Sequence, residues 1–65
     1  MTKLERYPDP MKPVELARHW RCSPDTVVRL CEDGEITGAF KVRRQWRIPH
    51  SAVLEYEQEA NGEAE

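Results

Sequence analysis

Two helix starts lie so close together in this chain that only one short helix and a tight turn fit between them. Pro13 suits the first turn of a helix, where its missing N–H is not needed, and apolar residues follow it at helical spacing as far as Trp20. Ser23-Pro24-Asp25 then supplies an N-cap serine, a proline and a first-turn acid. The pattern predicts a first helix over about 12–20 and a second over about 24–32.

The second helix carries a recognisable buried face and stop signal. Val27, Leu30 and Cys31 fall at positions i, i+3 and i+4, and Gly34 follows as a C-terminal cap. Two short helices joined by a turn of about three residues form a helix-turn-helix, whose second helix can lie in the major groove of DNA. Small helical hairpins that never touch DNA share this pattern, so the spacing alone does not decide the function.

After the second helix, the spacing of the apolar residues changes from helical to alternating. From Ile36 to Ile48 β-branched and aromatic residues nearly alternate, with Arg43-Arg44-Gln45 as a polar turn between them, which predicts a β-hairpin with a cationic tip. Pro49 ends the second strand, and we expect His50 or Ser51 to cap a last helix. The apolar stripe predicted for that helix consists of Ala52, Val53, Tyr56 and Ala60.

Charge is distributed unevenly along the chain, although its net value is only -2. Residues 11–54 carry eight basic and five acidic side chains, whereas residues 55–65 carry five glutamates and no base. Between Glu35 and Glu55 every charged residue is positive. Because counterion release depends on the groups that reach phosphate, the overall acidity does not exclude a polyanionic partner.

The chain of 65 residues is expected to form one domain over 11–57, preceded by an N-terminal arm over 1–10 that wraps or stays loose and followed by an acidic flexible tail over 58–65. No apolar run reaches the roughly 18 residues of a membrane span, and no signal-peptide h-region is evident, so we expect a cytoplasmic protein without membrane contact.

Several functional classes are not expected. A domain this small presents a surface better than it encloses a substrate, and no nucleophile, base and orienting group converge, so we predict no catalytic activity, no cofactor and no small-molecule ligand. Cys22 and Cys31 should remain thiols in a reducing compartment. Together with His19 and His50 they match no zinc-module spacing, so we predict no metal site.

Four motifs carry a family resemblance over about residues 11–56. In order they are Pro13-Val14-Glu15-Leu16-Ala17, Ser23-Pro24-Asp25-Thr26-Val27-Val28-Arg29-Leu30, Gly34-Glu35-Ile36 and Trp46-Arg47-Ile48-Pro49. This run resembles the excisionase family of winged helix-turn-helix proteins, relatives of the MerR-type DNA-binding domain. The resemblance implies an α+β, mostly α fold, with a recognition helix in the major groove and a wing hairpin that reaches the backbone or the adjacent minor groove.

The wing turn departs from the family pattern. The family usually has glycine there, whereas this chain has Arg43-Arg44. A tight two-residue turn prefers positive φ, which glycine adopts without steric cost and arginine does not. We therefore expect a longer turn or a strained one, with two guanidinium groups placed to meet phosphate or a narrow minor groove.

In the second helix, Arg29 is placed for a bidentate contact to guanine or for a salt bridge with Asp25 or Asp33, and we favour DNA contact. Capping alone explains Ser23, and packing explains Thr26 as readily as DNA contact does. Asp25 would repel phosphate unless it accepts from cytosine N4, so a first-turn acid is its safer interpretation. The predicted recognition-helix residues are Ser23, Asp25, Thr26, Val28 and Arg29.

The hairpin holds the strongest cationic cluster, since an ordinary solvated strand pair does not need four bases without an acid. Arg47 has an alternative role, because beside Trp46 it could brace the fold through a carboxylate. Arg18 and Arg21 either touch flanking phosphates or are solvated. The predicted wing residues are Lys41, Arg43, Arg44, Gln45 and Arg47.

The four large aromatic residues have two interpretations. They could stack on single-stranded nucleic acid, but a chain this small needs large side chains for its core, so we predict core positions. The residues are Trp20, Phe40, Trp46 and Tyr56.

The resemblance implies a sequence-specific double-stranded DNA-binding excisionase, encoded by a phage or integrated element and acting in a bacterial host cell. Such proteins bind repeated sites cooperatively, associate head to tail and bend DNA so that an integrase favours excision. The absence of an attached sensor module is expected to separate this chain from MerR-type regulators. A small transcriptional regulator using the same surface is the alternative, and a protein-interaction module with a DNA-mimicking acidic tail is a third.

Overall fold

Three α-helices and a two-stranded antiparallel sheet make up the fold over residues 3–63, the part that the computed structural model describes, with side chains described for residues 4–60. This arrangement confirms the predicted α+β, mostly α winged helix-turn-helix. The helices are α1 (Pro13–Trp20), α2 (Pro24–Glu32) and α3 (His50–Glu63), the strands are β1 (Phe40–Val42) and β2 (Gln45–Arg47), and a 3₁₀ turn covers Lys3–Arg6.

Local capping sets the bounds of the helix-turn-helix. The Ser23 hydroxyl accepts a hydrogen bond from the Thr26 N–H at 3.3 Å, as expected for an N-cap. At the other end of α2, Gly34 has a φ of 77°, its N–H donates to the Cys31 carbonyl, and the Glu35 N–H donates to the Leu30 carbonyl. These two bonds form a Schellman motif, which confirms the predicted stop at Gly34.

The turn between α1 and α2 depends on a left-handed residue. Arg21 has a φ of 60°, which lets the Cys22 N–H donate to the Ala17 carbonyl at 2.9 Å. The chain therefore reverses within Arg21, Cys22 and Ser23, and α2 starts at the predicted position.

The core takes residues from every helix and also from the N-terminal segment. Met11 is fully buried and pairs with Ile48 through N–H to carbonyl bonds of 2.8 and 2.9 Å. Leu4 is buried as well, so residues 4–11 wrap against the domain rather than standing apart from it. The buried apolar residues among those described are Leu4, Met11, Leu16, Ala17, Val27, Cys31, Ile36, Ile48, Ala52 and Val53.

The hairpin is shorter than the sequence pattern predicts. Ile36 is not in a strand, because its side chain turns into the core and the Ala39 N–H donates to its carbonyl at 3.3 Å. Gly38 has a φ of 103°, which a strand does not accommodate. β1 therefore begins at Phe40, and Ile48 pairs with Met11 instead of extending β2.

The register places two residues, rather than three, at the tip. Val42 pairs with Gln45, so the turn consists of Arg43 and Arg44 alone, and Gln45 belongs to β2. Both arginines adopt positive φ, 53° and 74°, as a type I′ turn requires. Of the two predicted outcomes, a longer turn or a strained one, the chain adopts the strained one.

Helix α3 starts and ends differently from the prediction. His50 and Ser51 both lie inside the helix, and the Asp9 carboxylate caps it instead, accepting from the His50 N–H at 3.1 Å. The helix continues past Gln58 to Glu63, through Glu59 and Ala60, which favour a helix, and also through Asn61 and Gly62, which do not. Ala52 and Val53 are buried and Tyr56 is half-buried, as predicted, but Ala60 is exposed. Within residues 3–63, no helix has the length and apolar character needed to cross a bilayer.

Candidate nucleic-acid interface

Helix α2 separates two surface hollows. The larger, here called the wing groove, has a volume of about 390 Å³ and lies between the start of α1, one side of α2 and the hairpin. It combines apolar side chains with charged ones. Its lining residues are Lys12, Pro13, Val14, Pro24, Val28, Glu32, Lys41, Arg44, Gln45, Trp46 and Arg47.

Four cations line the wing groove without a carboxylate partner. Lys12, Lys41 and Arg44 are exposed and Arg47 is half-buried. Among the side chains of residues 4–60, the one contact between a basic and an acidic group joins His19 to Glu57, and neither of these residues lines the wing groove. Their charge is therefore free to meet an anion, which is the electrostatic condition for contact with phosphate.

Two of the cations are held by the strand residue Trp46. The Lys41 ammonium lies 5.3 Å from the centroid of the Trp46 ring. Arg47 donates to the Trp46 carbonyl and to the Gln45 side-chain oxygen, both at 3.1 Å. Within the part of the chain whose side chains are described, no carboxylate binds Arg47, and both of its partners are neutral oxygens that orient the guanidinium without cancelling its charge.

The wing tip presents its arginines at a conformational cost. Left-handed backbone costs roughly 1–2 kcal/mol for each residue that is not glycine, and Arg43 and Arg44 both adopt it. Arg44 lines the wing groove, whereas Arg43 is exposed at the tip and lies outside the lining. The turn is thus less stable than a glycine-containing one, and in exchange it carries two guanidinium groups.

The second hollow lies on the other side of α2 and has a volume of about 300 Å³. The Ser23 and Thr26 hydroxyls hydrogen-bond to each other at 3.0 Å, so both side chains serve the helix start. Arg29 is exposed, and the described side chains include no carboxylate paired with it, neither Asp25 nor Asp33. The lining residues are Ser23, Asp25, Thr26, Arg29, Leu30 and Asp33.

The predicted site residues are therefore divided. Val28 joins Lys41, Arg44, Gln45 and Arg47 at the wing groove. The predicted residues Ser23, Asp25, Thr26 and Arg29 line the other hollow. Arg18 and Arg21 are exposed near the end of α1 and belong to neither lining.

Sequence reasoning missed six residues that line the wing groove, namely Lys12, Pro13, Val14, Pro24, Glu32 and Trp46. The sequence did contain a signal for Lys12. This residue occupies the N-cap of α1, where a cation is unfavourable for the helix dipole, and a residue that is unfavourable for the helix is a candidate for a functional role. The exposure of Val14 and the position of Glu32 follow from the way the hairpin packs against α1 and α2, which no local pattern encodes.

The aromatic residues mostly brace the fold. The Trp20 indole N–H donates to Glu57 at 2.7 Å, and the same carboxylate oxygen lies 3.1 Å from His19 Nε2. Trp20 also contacts Tyr56, with ring centroids 5.2 Å apart. Phe40 is the exception to the predicted core positions, because it is 44 % exposed.

The cysteines carry no reactive signature. Burial, with a smaller contribution from Glu32, raises the pKa of the Cys31 thiol to about 11, so it stays protonated at neutral pH. Cys22 is exposed in the turn. No group of three or more histidine, cysteine, aspartate or glutamate side chains in the described part of the chain is arranged to hold a metal ion.

Comparison with known proteins gives one match. A family model described as a helix-turn-helix domain matches residues 11–61. No curated protein and no solved structure matches the chain.

Proposed function

Because the chain belongs to the helix-turn-helix domain family, which includes excisionase-like DNA-binding domains, we propose that it is a sequence-specific double-stranded DNA-binding excisionase. A helix-turn-helix domain implies DNA binding. The observation that carries the proposal furthest is the wing groove, where four cations lie beside one side of α2 with no carboxylate partner among the side chains of residues 4–60.

In this proposal the wing supplies affinity. Lys41, Arg44 and Arg47 contact backbone phosphates from the hairpin, and Lys12 does so from the start of α1. Each neutralised phosphate releases counterions, so this part of the binding is independent of sequence and falls with salt. The exposed tip residue Arg43 reaches a further phosphate or the adjacent minor groove.

Helix α2 supplies selectivity. Arg29 is the one base on the helix and has no carboxylate partner among the described side chains, so its guanidinium is available to guanine O6 and N7 in the major groove. Ser23, Asp25 and Thr26 lie at the N-terminal end of the helix, where they set its start, whereas Arg29 lies in its last turn.

We also propose that neighbouring copies of the protein bind repeated DNA sites cooperatively. A single module buries only about 600–1,000 Å² on DNA, so neighbours on repeated sites would raise both affinity and specificity. Glu55 and Glu59 are exposed on α3, whereas Glu57 is engaged by His19 and Trp20. We propose that these free glutamates meet the cationic wing of the next copy, head to tail along the duplex.

Bending of the DNA by such an array would help an integrase favour excision. Under this proposal the protein acts in the cytoplasm of a bacterial cell that carries a phage or integrated element. A promoter-binding regulator would use the same surface, so the test must separate the two roles.

The test has two stages. Duplexes carrying one or two copies of a selected site are first bound by the wild type and by the Glu55→Gln/Glu59→Gln variant, with Glu5→Gln, an exposed glutamate outside α3, as the control. We expect the double variant to lose cooperativity on two sites and to keep its affinity for one. Footprinting on the DNA that flanks the gene, with and without integrase, then shows whether protection falls beside an attachment site or on a promoter. Promoter protection with no effect of integrase would reject the excisionase role.

A further inference from the structure

One side of α2 runs the length of the wing groove. Pro24, Val28 and Glu32 are spaced four residues apart and all line the groove, and we call them the wing-side stripe. We infer that this stripe reads bases, selecting a thymine beside Val28 and a cytosine beside Glu32. The inference rests on the proposed binding of duplex DNA.

The apolar part of the stripe fits one chemical group. Val28 is half-buried in the groove floor, and Val14 on the opposite helix is 45 % exposed, so an apolar surface lies open between cationic edges. When phosphates contact those cations, the base edges face this floor. The 5-methyl of thymine is the only apolar group on the major-groove edges, and a valine side chain packs against it.

Glu32 is out of place in a surface that binds phosphate. Its carboxylate lines a groove with four cations, and the structure pairs it with none of them among residues 4–60. A free carboxylate there repels the backbone and weakens binding to every sequence. It gains a favourable partner only where a base offers an amino group, and cytosine N4 is the group that carboxylates accept from. Glu32 therefore lowers the affinity for every sequence and raises the preference for cytosine.

The spacing of Val28 and Glu32 along α2 limits the DNA sequences that they select. Four helical residues rise about 6 Å, compared with about 3.4 Å for each base pair, so Val28 and Glu32 reach bases about two pairs apart. Arg29 lines the hollow on the other side of α2 and reads a different position. The preferred site should contain a thymine and a cytosine about two base pairs apart.

The experiment starts with selection of duplexes from a random pool by the wild-type protein. The selected duplex is then made with deoxyuridine in place of deoxythymidine, which removes each 5-methyl and leaves base pairing intact. Selections with Glu32→Gln and Val28→Ala follow. The controls are Asp33→Asn, the next carboxylate on the same helix but on the other hollow, and Val42→Ala, an exposed hairpin valine outside the groove.

We expect deoxyuridine to weaken wild-type binding about fourfold, which corresponds to the loss of one buried methyl group. Val28→Ala should bind both duplexes equally, so the methyl effect disappears with the side chain. Glu32→Gln should bind random DNA more tightly and should shift the selected cytosine to adenine, because glutamine both donates to and accepts from adenine. Asp33→Asn and Val42→Ala should keep the wild-type preferences.

Other outcomes overturn the inference in separable ways. If the deoxyuridine duplex binds as well as the thymidine duplex, Val28 does not read a methyl, and this result needs no folded variant. If Glu32→Gln and Asp33→Asn select the same sequences as the wild type, Glu32 does not read a base. Both results leave the proposed DNA binding intact, whereas a wild type that binds no duplex rejects the proposed function and this inference together.

Discussion

The hairpin and the recognition helix have opposite charge although they lie side by side. Residues 40–47 contain four cations and no acid, whereas α2 contains Arg29 and two acids and is followed directly by Asp33 and Glu35. A helix with that balance does not attract a polyanion by itself, so under the proposed function the affinity for DNA comes from the wing and the start of α1. Under the proposed function, this difference predicts a division of labour in which the wing binds the DNA backbone and α2 selects the sequence.

The two regions also differ in how the fold holds them. Helix α2 buries Val27 and Cys31, while the hairpin leaves Phe40 and Val42 nearly half exposed. The wing is anchored chiefly by Trp46, which packs against the core. Its indole N–H is buried, and no described group accepts a hydrogen bond from it.

Loss of the wing anchor should have the largest effect. Trp46→Ala removes a large side chain packed against the core and should lower the free energy of unfolding by about 3 kcal/mol, enough to unfold much of a domain this small. Trp46→Phe removes the unsatisfied N–H and keeps most of the packing, so it should cost about 1 kcal/mol or less. Thermal unfolding followed by circular dichroism measures both, and equal stability of the alanine variant and the wild type would contradict an anchoring role.

Reversal of charge in the wing should have the second-largest effect. Lys41→Glu with Arg44→Glu removes two phosphate contacts and adds repulsion, so affinity for any duplex should fall about 100-fold or more near 0.1 M salt. Arg18→Glu with Arg21→Glu makes the same charge change outside the wing groove and should have a much smaller effect. Fluorescence anisotropy with a labelled duplex compares the two pairs, and similar losses would mean that binding depends on net charge rather than on the groove.

A substitution of Arg29 tests whether α2 selects the DNA sequence. Arg29→Ala should weaken binding to the preferred site about tenfold and relax preference at one base pair, with little change on random DNA, because the contact is to a base. Competition binding with single-base-pair variants of the site gives the preference. An equal loss on specific and random DNA would place Arg29 on a phosphate.

Relief of the strain in the wing turn should have the smallest effect, and it should change both the stability of the fold and its affinity for DNA. Arg43→Asn with Arg44→Gly supplies residues that suit a type I′ turn, so the free energy of unfolding should rise by about 1 kcal/mol. Duplex affinity should fall at the same time, since two guanidinium groups are lost. Denaturant unfolding and anisotropy on the same samples measure both changes, and a gain in stability without a loss of affinity would show that the strained arginines do not bind DNA.

Much of the fold was predictable because its signals are local. Ser23, Pro24 and Gly34 mark the ends of α2 through their own backbone chemistry, and the tip arginines are evident from the hairpin pattern. The cap of α3 was not predictable, because it comes from Asp9, which lies far away along the chain. Burial of Met11 likewise depends on its pairing with Ile48.

The candidate site shows the same limit. The hairpin cations were predicted because they are adjacent in sequence and lack acids between them. Lys12 and Glu32 join them only through the packing of α1, α2 and the hairpin. The split of the α2 residues between two hollows also depends on where the hairpin lies, so sequence alone treats Val28 and Arg29 as one set.

If the cationic groove meets duplex phosphate although the polypeptide carries a net charge of -2, binding must weaken steeply as salt rises. Duplex affinity measured between about 50 and 200 mM salt should give a log–log slope of roughly -3.5 to -4.5, as the four groove cations, with or without a fifth contact from Arg43, require. Arg43→Ala with Arg44→Ala should flatten that slope by up to about 2 units. A slope near zero, or one that the double variant leaves unchanged, would contradict this contact between the groove and phosphate.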